Sequence, residues 1–261
     1  MLNRPAQSTG TQLSRRVWRG TVRPRLLTTR GWLLRLLTRE AASAVRSRGL
    51  EPVSRKFGFD RGLPIDRYYV EHFLGRQAGV DEYAPADITG RVLEIGDDRY
   101  TRQFGKQVER SDIFNFSDVG PGTTIVGDIA REEDMPADAF DCILCTQTLL
   151  VIYDFRGAIR ALARGLRPGG VLLMTNPGIS RLCRPDADLW GDYWRFTTLS
   201  MRRLLEEVFP PENVRVEGYG NVLTATAQLY GLAASELSRE ELDLRDPDYE
   251  VIVAARAVKP G

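Results

Sequence analysis

The chain has 261 residues, 43% of them hydrophobic and 27% charged, with a formal net charge of +1. That length suits one large domain or one domain with an appendage, and no stretch reaches the roughly 18 apolar residues of a membrane span. The charge is a sum of opposites: residues 1–50 hold eleven arginines and one acid (Glu40), a net of +10, so residues 51–261 carry −9 and exclude an enzyme with a basic nucleic-acid groove.

Residues 1–30 are rich in Ser, Thr, Pro and Arg and lack apolar periodicity, which predicts disorder. The twin arginine in "SRRVWRG" is not followed by an apolar run, so it does not read as an export signal. Residues 31–50 read as an amphipathic helix with Leu33, Leu34, Leu37, Ala41, Ala44 and Val45 on one face. Residues 1–50 are thus expected to be a basic, partly disordered extension, suited to weak contact with an anionic membrane surface or a protein. Residues 51–261 form the main domain.

From residue 90 the pattern becomes regular. "RVLEIG", "QVERSDI", "TTIVGDI", "FDCILCTQT" and "VLLMTNP" read as five strands. A helical turn at Tyr100–Phe104 fills the short first crossover. Between the last two strands, "YDFRGAIRALARGLRPGG" is a helix with Ala158, Ile159, Leu162 and Leu166 at helical spacing and Asp154 as N-cap. Later come a helix, "TTLSMRRLLEEVF", a strand near "VRVEGYG", a helical insert over Val222–Leu232 and a final strand, "YEVIVAARAV". Strands alternating with helices predict an α/β doubly wound, Rossmann-like sheet.

Cysteines are few: Cys142, Cys145 and Cys183. An odd count suits reduced thiols in a reducing compartment, here taken as the cytoplasm. Cys142 and Cys145 are spaced C-x-x-C, but on a strand residues i and i+3 face opposite ways, so packed core thiols are expected and no metal site. The one histidine, His72, rules out a histidine-rich metal centre.

Acids cluster at the expected strand ends: Glu94 with Asp97 and Asp98, then Asp112, then Asp128. In an open parallel sheet, ligands bind beyond those ends. A dinucleotide needs glycines so that backbone amides can approach its pyrophosphate, and Asp97 and Asp98 would set negative charge against it. S-adenosylmethionine has no phosphate and carries a sulfonium and an ammonium, so the same acids favour it. Asp112 suits ribose hydroxyls, because a carboxylate accepts two hydrogen bonds, and Asp128 suits the adenine amine with Ile129 against the ring.

"VLEIG", Asp112, "GDI", "FDCILCTQTLLVIYD" and "LRPGGVLL" together resemble a class I S-adenosylmethionine-dependent methyltransferase of the type 11 sort, over roughly Asp60 to Lys259. The resemblance implies a seven-stranded, mostly parallel sheet with an antiparallel last strand. It also implies Glu94, Gly96 and Asp97 near the methionyl moiety, Asp112 at the ribose, Asp128 and Ile129 at the adenine, and Gln147 bordering the cofactor after the fourth strand. Asp98 and Tyr100 stand where such loops often carry later glycines.

For the acceptor, the aromatic segment "RLCRPDADLWGDYWRFT" offers Trp190, Tyr193, Trp194 and Arg195 as a platform for a small molecule or glycan. His72, Asp154 and Tyr193 are available as a base, and none is singled out by spacing. The expected function is methyl transfer to such an acceptor. The alternative is a methyltransferase-fold scaffold without turnover, motivated by the unusual first loop.

Overall fold

A computed structural model describes residues 49–77, 86–117 and 120–261. Seven strands form one sheet: β1 (Gly90–Ile95), β2 (Val108–Asn115), β3 (Ile125–Val126), β4 (Phe140–Thr146), β5 (Leu166–Pro177), β6 (Val214–Tyr219) and β7 (Ile252–Val258). Their order is β3-β2-β1-β4-β5-β7-β6. Strands β1 to β5 pair in parallel, and β7 runs antiparallel between β5 and β6. This is the α/β doubly wound sheet expected, with its last strand reversed.

The helices are α1 (Ile65–Gln77), α2 (Arg99–Phe104), α3 (Phe155–Gly165), α4 (Arg184–Leu189), α5 (Thr198–Leu205), α6 (Val222–Tyr230) and α7 (Arg239–Asp243). Successive strand residues supply opposite cores, as the period of two requires. Val92, Cys142, Leu144 and Leu173 pack with Ile65, Tyr69 and Phe73 of α1 and Ala225 of α6. Leu93, Ile143, Cys145 and Met174 pack with Ile159 and Leu162 of α3 and Met201 and Leu205 of α5. The two C-x-x-C thiols therefore lie on different faces, and burial pushes the Cys145 thiol up to about 12.

Local signals explain the element ends. Asp154 caps α3, its Oδ1 accepting from the Gly157 amide at 2.9 Å. Thr197 and Ser200 form a reciprocal capping box at the start of α5. The α3 helix stops at Gly165, earlier than its apolar spacing suggested. Leu166 already pairs with Phe140 as part of β5, and a Cβ at Gly165 would stand 2.9 Å from Met135 Cγ. Strand β3 is shorter than predicted, with only Ile125 and Val126 in register with β2. Beyond it Asp128 opens a turn, its carbonyl accepting from Arg131 N at 2.9 Å. Short α4 and α7 have no counterpart in the sequence reading.

Glu51–Gly261 form one compact unit. The predicted basic extension, with its helix over 31–50, lies outside the described residues except for Gly49 and Leu50. Among the described residues no helix is long and apolar enough to cross a membrane.

Candidate functional site

The chain leaves β1 toward β2 on one side, while β4 lies on the other, so the sheet has its switch point between β1 and β4. A cleft at the carboxyl ends of those strands is where this architecture takes a ligand. Gly96 follows β1 directly, with φ +97°, and a Cβ there would meet nothing within 4 Å. The backbone thus turns sharply and leaves open space above the strand end. Asp97 is exposed, and its Oδ1 accepts from Arg99 N at 2.9 Å, a local turn that steadies the loop.

Glu94 has a different place from the one predicted. It is 1% exposed and lies beneath the loop, accepting from Tyr100 N at 3.0 Å, Thr101 N at 2.7 Å and Thr101 Oγ1 at 2.8 Å. Its carboxyl ties the first turn of α2 to the sheet and does not face the cleft. Burial pushes it up to about 7, with the Asp97 charge adding to that and the Thr101 and Tyr100 hydrogen bonds opposing it.

The two unusual loop residues have structural reasons of their own. Asp98 pairs with Arg102 one turn on, at 2.7 Å. Tyr100 is 6% exposed and stacks with Phe104, ring centres 6.2 Å apart.

Asp112 requires a correction. It sits inside β2, opposite Leu93 and short of the strand end. It is fully buried and bound by Arg91 Nε at 2.7 Å and Arg110 Nη2 at 2.9 Å. Burial pushes its carboxyl up, but the two guanidinium groups outweigh that and hold it below the ordinary carboxylate range. Nothing of it is left for a ribose. The residue at the strand end is Asn115, whose Nδ2 donates to Gly96 O at 3.2 Å and Thr123 Oγ1 at 2.8 Å. Sequence reasoning missed it by ending the strand at Ile113. Continuing the apolar run through Phe114 would have found it.

Asp128 follows β3, and its Oδ1 accepts from Ala130 N at 2.9 Å while its own amide donates to Asp134 Oδ2 at 2.9 Å. Ile129 is 5% exposed and packs into the α3-side core, so it forms no cleft wall. Gln147 leaves β4 with φ +50°, held by Gln147 N to Thr175 O at 2.7 Å and Nε2 to Thr175 Oγ1 at 3.3 Å. Gly96, Asn115 and Gln147 therefore stand at the ends of three neighbouring strands.

The predicted platform of Tyr193, Trp194 and Arg195 is not formed as one surface. Trp194 is turned inward, its Nε1 donating to Ile152 O at 3.0 Å and its ring edge-on to Phe155 at 5.0 Å. Arg195 is taken up by Asp192 and donates to Arg181 O at 2.8 Å. Tyr193 remains 49% exposed and meets Tyr153 edge-on at 5.3 Å. Phe116, just past Asn115, meets Trp190 edge-on at 6.0 Å, both rings largely exposed. These rings come from the segments after β2, β4 and β5, on the carboxyl side of the sheet.

Of the candidate bases, Asp154 is committed to capping α3. His72 lies between the rings of Tyr68 and Tyr219, where burial first and the Arg76 charge second hold its imidazole below the ordinary range.

Residues 82–174 match the model of a family described as a methyltransferase domain. The matched stretch runs from before β1 into β5 and includes every strand end just described. With its last strand reversed, the sheet has the fold of class I S-adenosylmethionine-dependent methyltransferases, and the matched stretch is similar to a methyltransferase domain. No curated protein matches the sequence. Among solved structures, phosphoethanolamine N-methyltransferase 2 of Haemonchus contortus, in complex with phosphomonomethylethanolamine and S-adenosylhomocysteine, is similar at 14% identity and a TM-score of 0.46. The match covers 79% of this chain and only 60% of that one. The N-methyltransferase NodS of Bradyrhizobium japonicum, in complex with S-adenosylhomocysteine, is similar at 15% identity and a TM-score of 0.46, covering 77% and 90%. An S-adenosylmethionine-dependent methyltransferase of Mesorhizobium loti is similar at 17% identity and a TM-score of 0.45, covering 72% and 97%.

Proposed function

We propose that the chain binds S-adenosylmethionine across the carboxyl ends of β1, β2 and β4 and transfers a methyl group to a small-molecule or glycan acceptor. The observation that carries this reading is the open turn at Gly96, flanked by the exposed Asp97 and the amides of Asn115 and Gln147. These groups fit the cofactor's chemistry. Asp97 would attract the ammonium, Asn115 would exchange hydrogen bonds with the ribose, and Gln147 would border the sulfonium side. Asp128 would accept from the adenine amine through the oxygen not used by Ala130.

When bound, S-adenosylmethionine supplies a methyl group activated by its sulfonium. The chain's own part is to hold the acceptor's nucleophile in line and to keep the site dry, which can account for much of such a rate. The exposed rings of Phe116, Tyr153, Trp190 and Tyr193 suit the apolar face of an acceptor or a sugar. Free thiols support a reducing compartment, the cytoplasm in this reading. The +10 charge of residues 1–50 supports their acting as a separate extension with loose affinity for anionic surfaces.

Calorimetric titration of the full chain with S-adenosylhomocysteine tests the reading. The expected result is saturable binding, and no heat at millimolar ligand from a folded sample overturns it. Binding without transfer to any acceptor would favour the scaffold alternative instead.

A further inference from the structure

The segment after β5 closes on itself. Cys183 N donates to Asp192 Oδ2 at 2.8 Å, Arg195 pairs with Asp192, and Trp190 N donates to Asp186 O at 2.7 Å. Gly191 turns the chain at φ +95°, where a Cβ would stand 2.2 Å from Tyr193 Cζ. These bonds fasten the base of a loop over residues 182–192 whose apolar side chains stay outside. Leu189 is 73% exposed, and Leu182 and Trp190 are each 49% exposed. Phe116, 64% exposed, joins them from the segment after β2, its ring 6.0 Å from that of Trp190. Large apolar side chains held bare on so firmly bonded a loop mark a surface that a partner covers.

The charge of the chain indicates which partner. Residues 1–50, with their net of +10, join the main domain at Glu51. The stretch that follows lies against the loop: Arg181 donates to Arg55 O, and its guanidinium carbon stands 3.6 Å from the centre of the Phe57 ring. Arg195 in turn donates to Arg181 O at 2.8 Å. The basic stretch is therefore attached within a few residues of the segment that bears the apolar patch. Residues 180–195 are themselves neutral, with Arg181, Arg184 and Arg195 balancing Asp186, Asp188 and Asp192. An anionic bilayer, charged outside and apolar within, matches both features. A second copy of the chain matches the patch but not the charge, since it would bring another +10 to the same face.

We propose that Phe116, Leu182, Leu189 and Trp190 dock the domain on an anionic lipid bilayer. The four side chains enter the interface, where rings such as tryptophan are favoured, and residues 1–50 supply the attraction. Because Phe116 directly follows Asn115, docking brings the cleft to the lipid boundary. An acceptor carried in the bilayer would then meet the same rings, a consequence that rests on the methyl-transfer reading, whereas docking does not.

Sedimentation of the full chain with vesicles tests this. On equal parts phosphatidylcholine and phosphatidylglycerol, partition should exceed that on phosphatidylcholine alone by about tenfold or more, and should weaken with added salt. Leu189→Ser combined with Trp190→Ser should lower partition on the mixed vesicles by about tenfold, through the apolar area no longer inserted. Phe116→Ser, on a separate segment, should lower it several-fold and guards against local misfolding of the loop. Trp190→Phe should keep partition within about twofold. It should also reduce the quenching of the chain's fluorescence by lipids brominated on their acyl chains, because the ring that enters has been exchanged. Full partition of the serine variants overturns the proposal, since residues 1–50 would then bind alone. Failure of the unaltered chain to sediment with either vesicle overturns it as well. Self-association that the serine variants lose, without vesicle binding, would assign the patch to a second copy instead. Calorimetry with S-adenosylhomocysteine on the same samples reads the cofactor proposal separately, so either can fail alone.

Discussion

Asp112 and Asn115 lie on one strand, yet they belong to two different regions of the molecule. Around Asp112 the sheet interior is closed: the carboxylate is fully buried and its charge is met by Arg91 and Arg110. Around Asn115 and Gly96 the sheet edge is open, with Asp97 exposed and space above the glycine. An acid near the end of an apolar strand suggests a ligand site in both places, and only the second can be one. A buried carboxylate whose lone pairs are already taken by two guanidinium groups has nothing further to offer. What separates the regions is where the partners sit, more than which residues are present.

The largest effect expected from this contrast is on stability, from Asp112→Ala. Removing the buried carboxylate loses its charge-assisted hydrogen bonds to Arg91 and Arg110, at a cost of roughly 3 kcal/mol. Both guanidinium groups keep contact with solvent, Arg91 at 26% and Arg110 at 60%, so the cost should stay below that of breaking a fully buried pair. Urea unfolding should show the midpoint falling with an unchanged slope. Affinity for S-adenosylhomocysteine in the folded fraction should be unaltered. If affinity fell and the midpoint held, Asp112 would belong to the open region after all.

Glu94 lies on the boundary between the regions and provides the next test, through pH. Its carboxyl is raised from an ordinary value near 4.5 to about 7 by burial. The folded protein therefore binds this proton more tightly than the unfolded chain. Such a group contributes stability that is fully present below about pH 4.5 and is lost as pH rises through about 7. Over that window the contribution is roughly 3 kcal/mol. Glu94→Gln, which keeps the shape and cannot ionise, should flatten this part of the stability–pH curve. An identical slope in the variant would mean that Glu94 is ionised in the fold, its charge met by the Tyr100 and Thr101 amides.

Most of the fold was legible because periodicity and capping act locally. The helix after Asp154, the strand at "FDCILCTQT" and the reversed last strand all followed from apolar spacing or from the resemblance it supported, and Asp154 does cap its helix. The candidate site was legible only in outline. Gly96 and Gln147, which the resemblance implied, do stand directly after β1 and β4, although the sequence pattern reads Gln147 inside its strand. Asp112 was misplaced because the strand's end depends on pairing with β1, which continues through Phe114 opposite Ile95. The inward turn of Trp194 depends on Ile152 O and Phe155, partners some forty residues distant, which no local pattern reveals. The reason for Tyr100 in place of a glycine likewise lies in its packing with Phe104 and the α1-side core.

The smallest and sharpest effect is expected at Asn115. Its amide donates to Gly96 O at 3.2 Å and Thr123 Oγ1 at 2.8 Å, and the first of these bonds is long. Asn115→Ala therefore removes about one effective hydrogen bond from the fold, worth roughly 1 kcal/mol. If the same amide also exchanges a hydrogen bond with a ribose hydroxyl, affinity for S-adenosylhomocysteine should fall by about tenfold, since roughly 1.4 kcal/mol is a factor of ten. Asn115→Asp sharpens the contrast further. A carboxylate accepts from both hydroxyls of a ribose but cannot donate to Gly96 O, so affinity should recover while stability stays at the alanine level. Measuring unfolding and binding on both variants separates the two roles of this side chain. Should Asn115→Ala lower stability with no loss of affinity, and Asn115→Asp change neither further, Asn115 would be a support of the loop alone. The ribose would then have to be held by another group at this edge of the sheet.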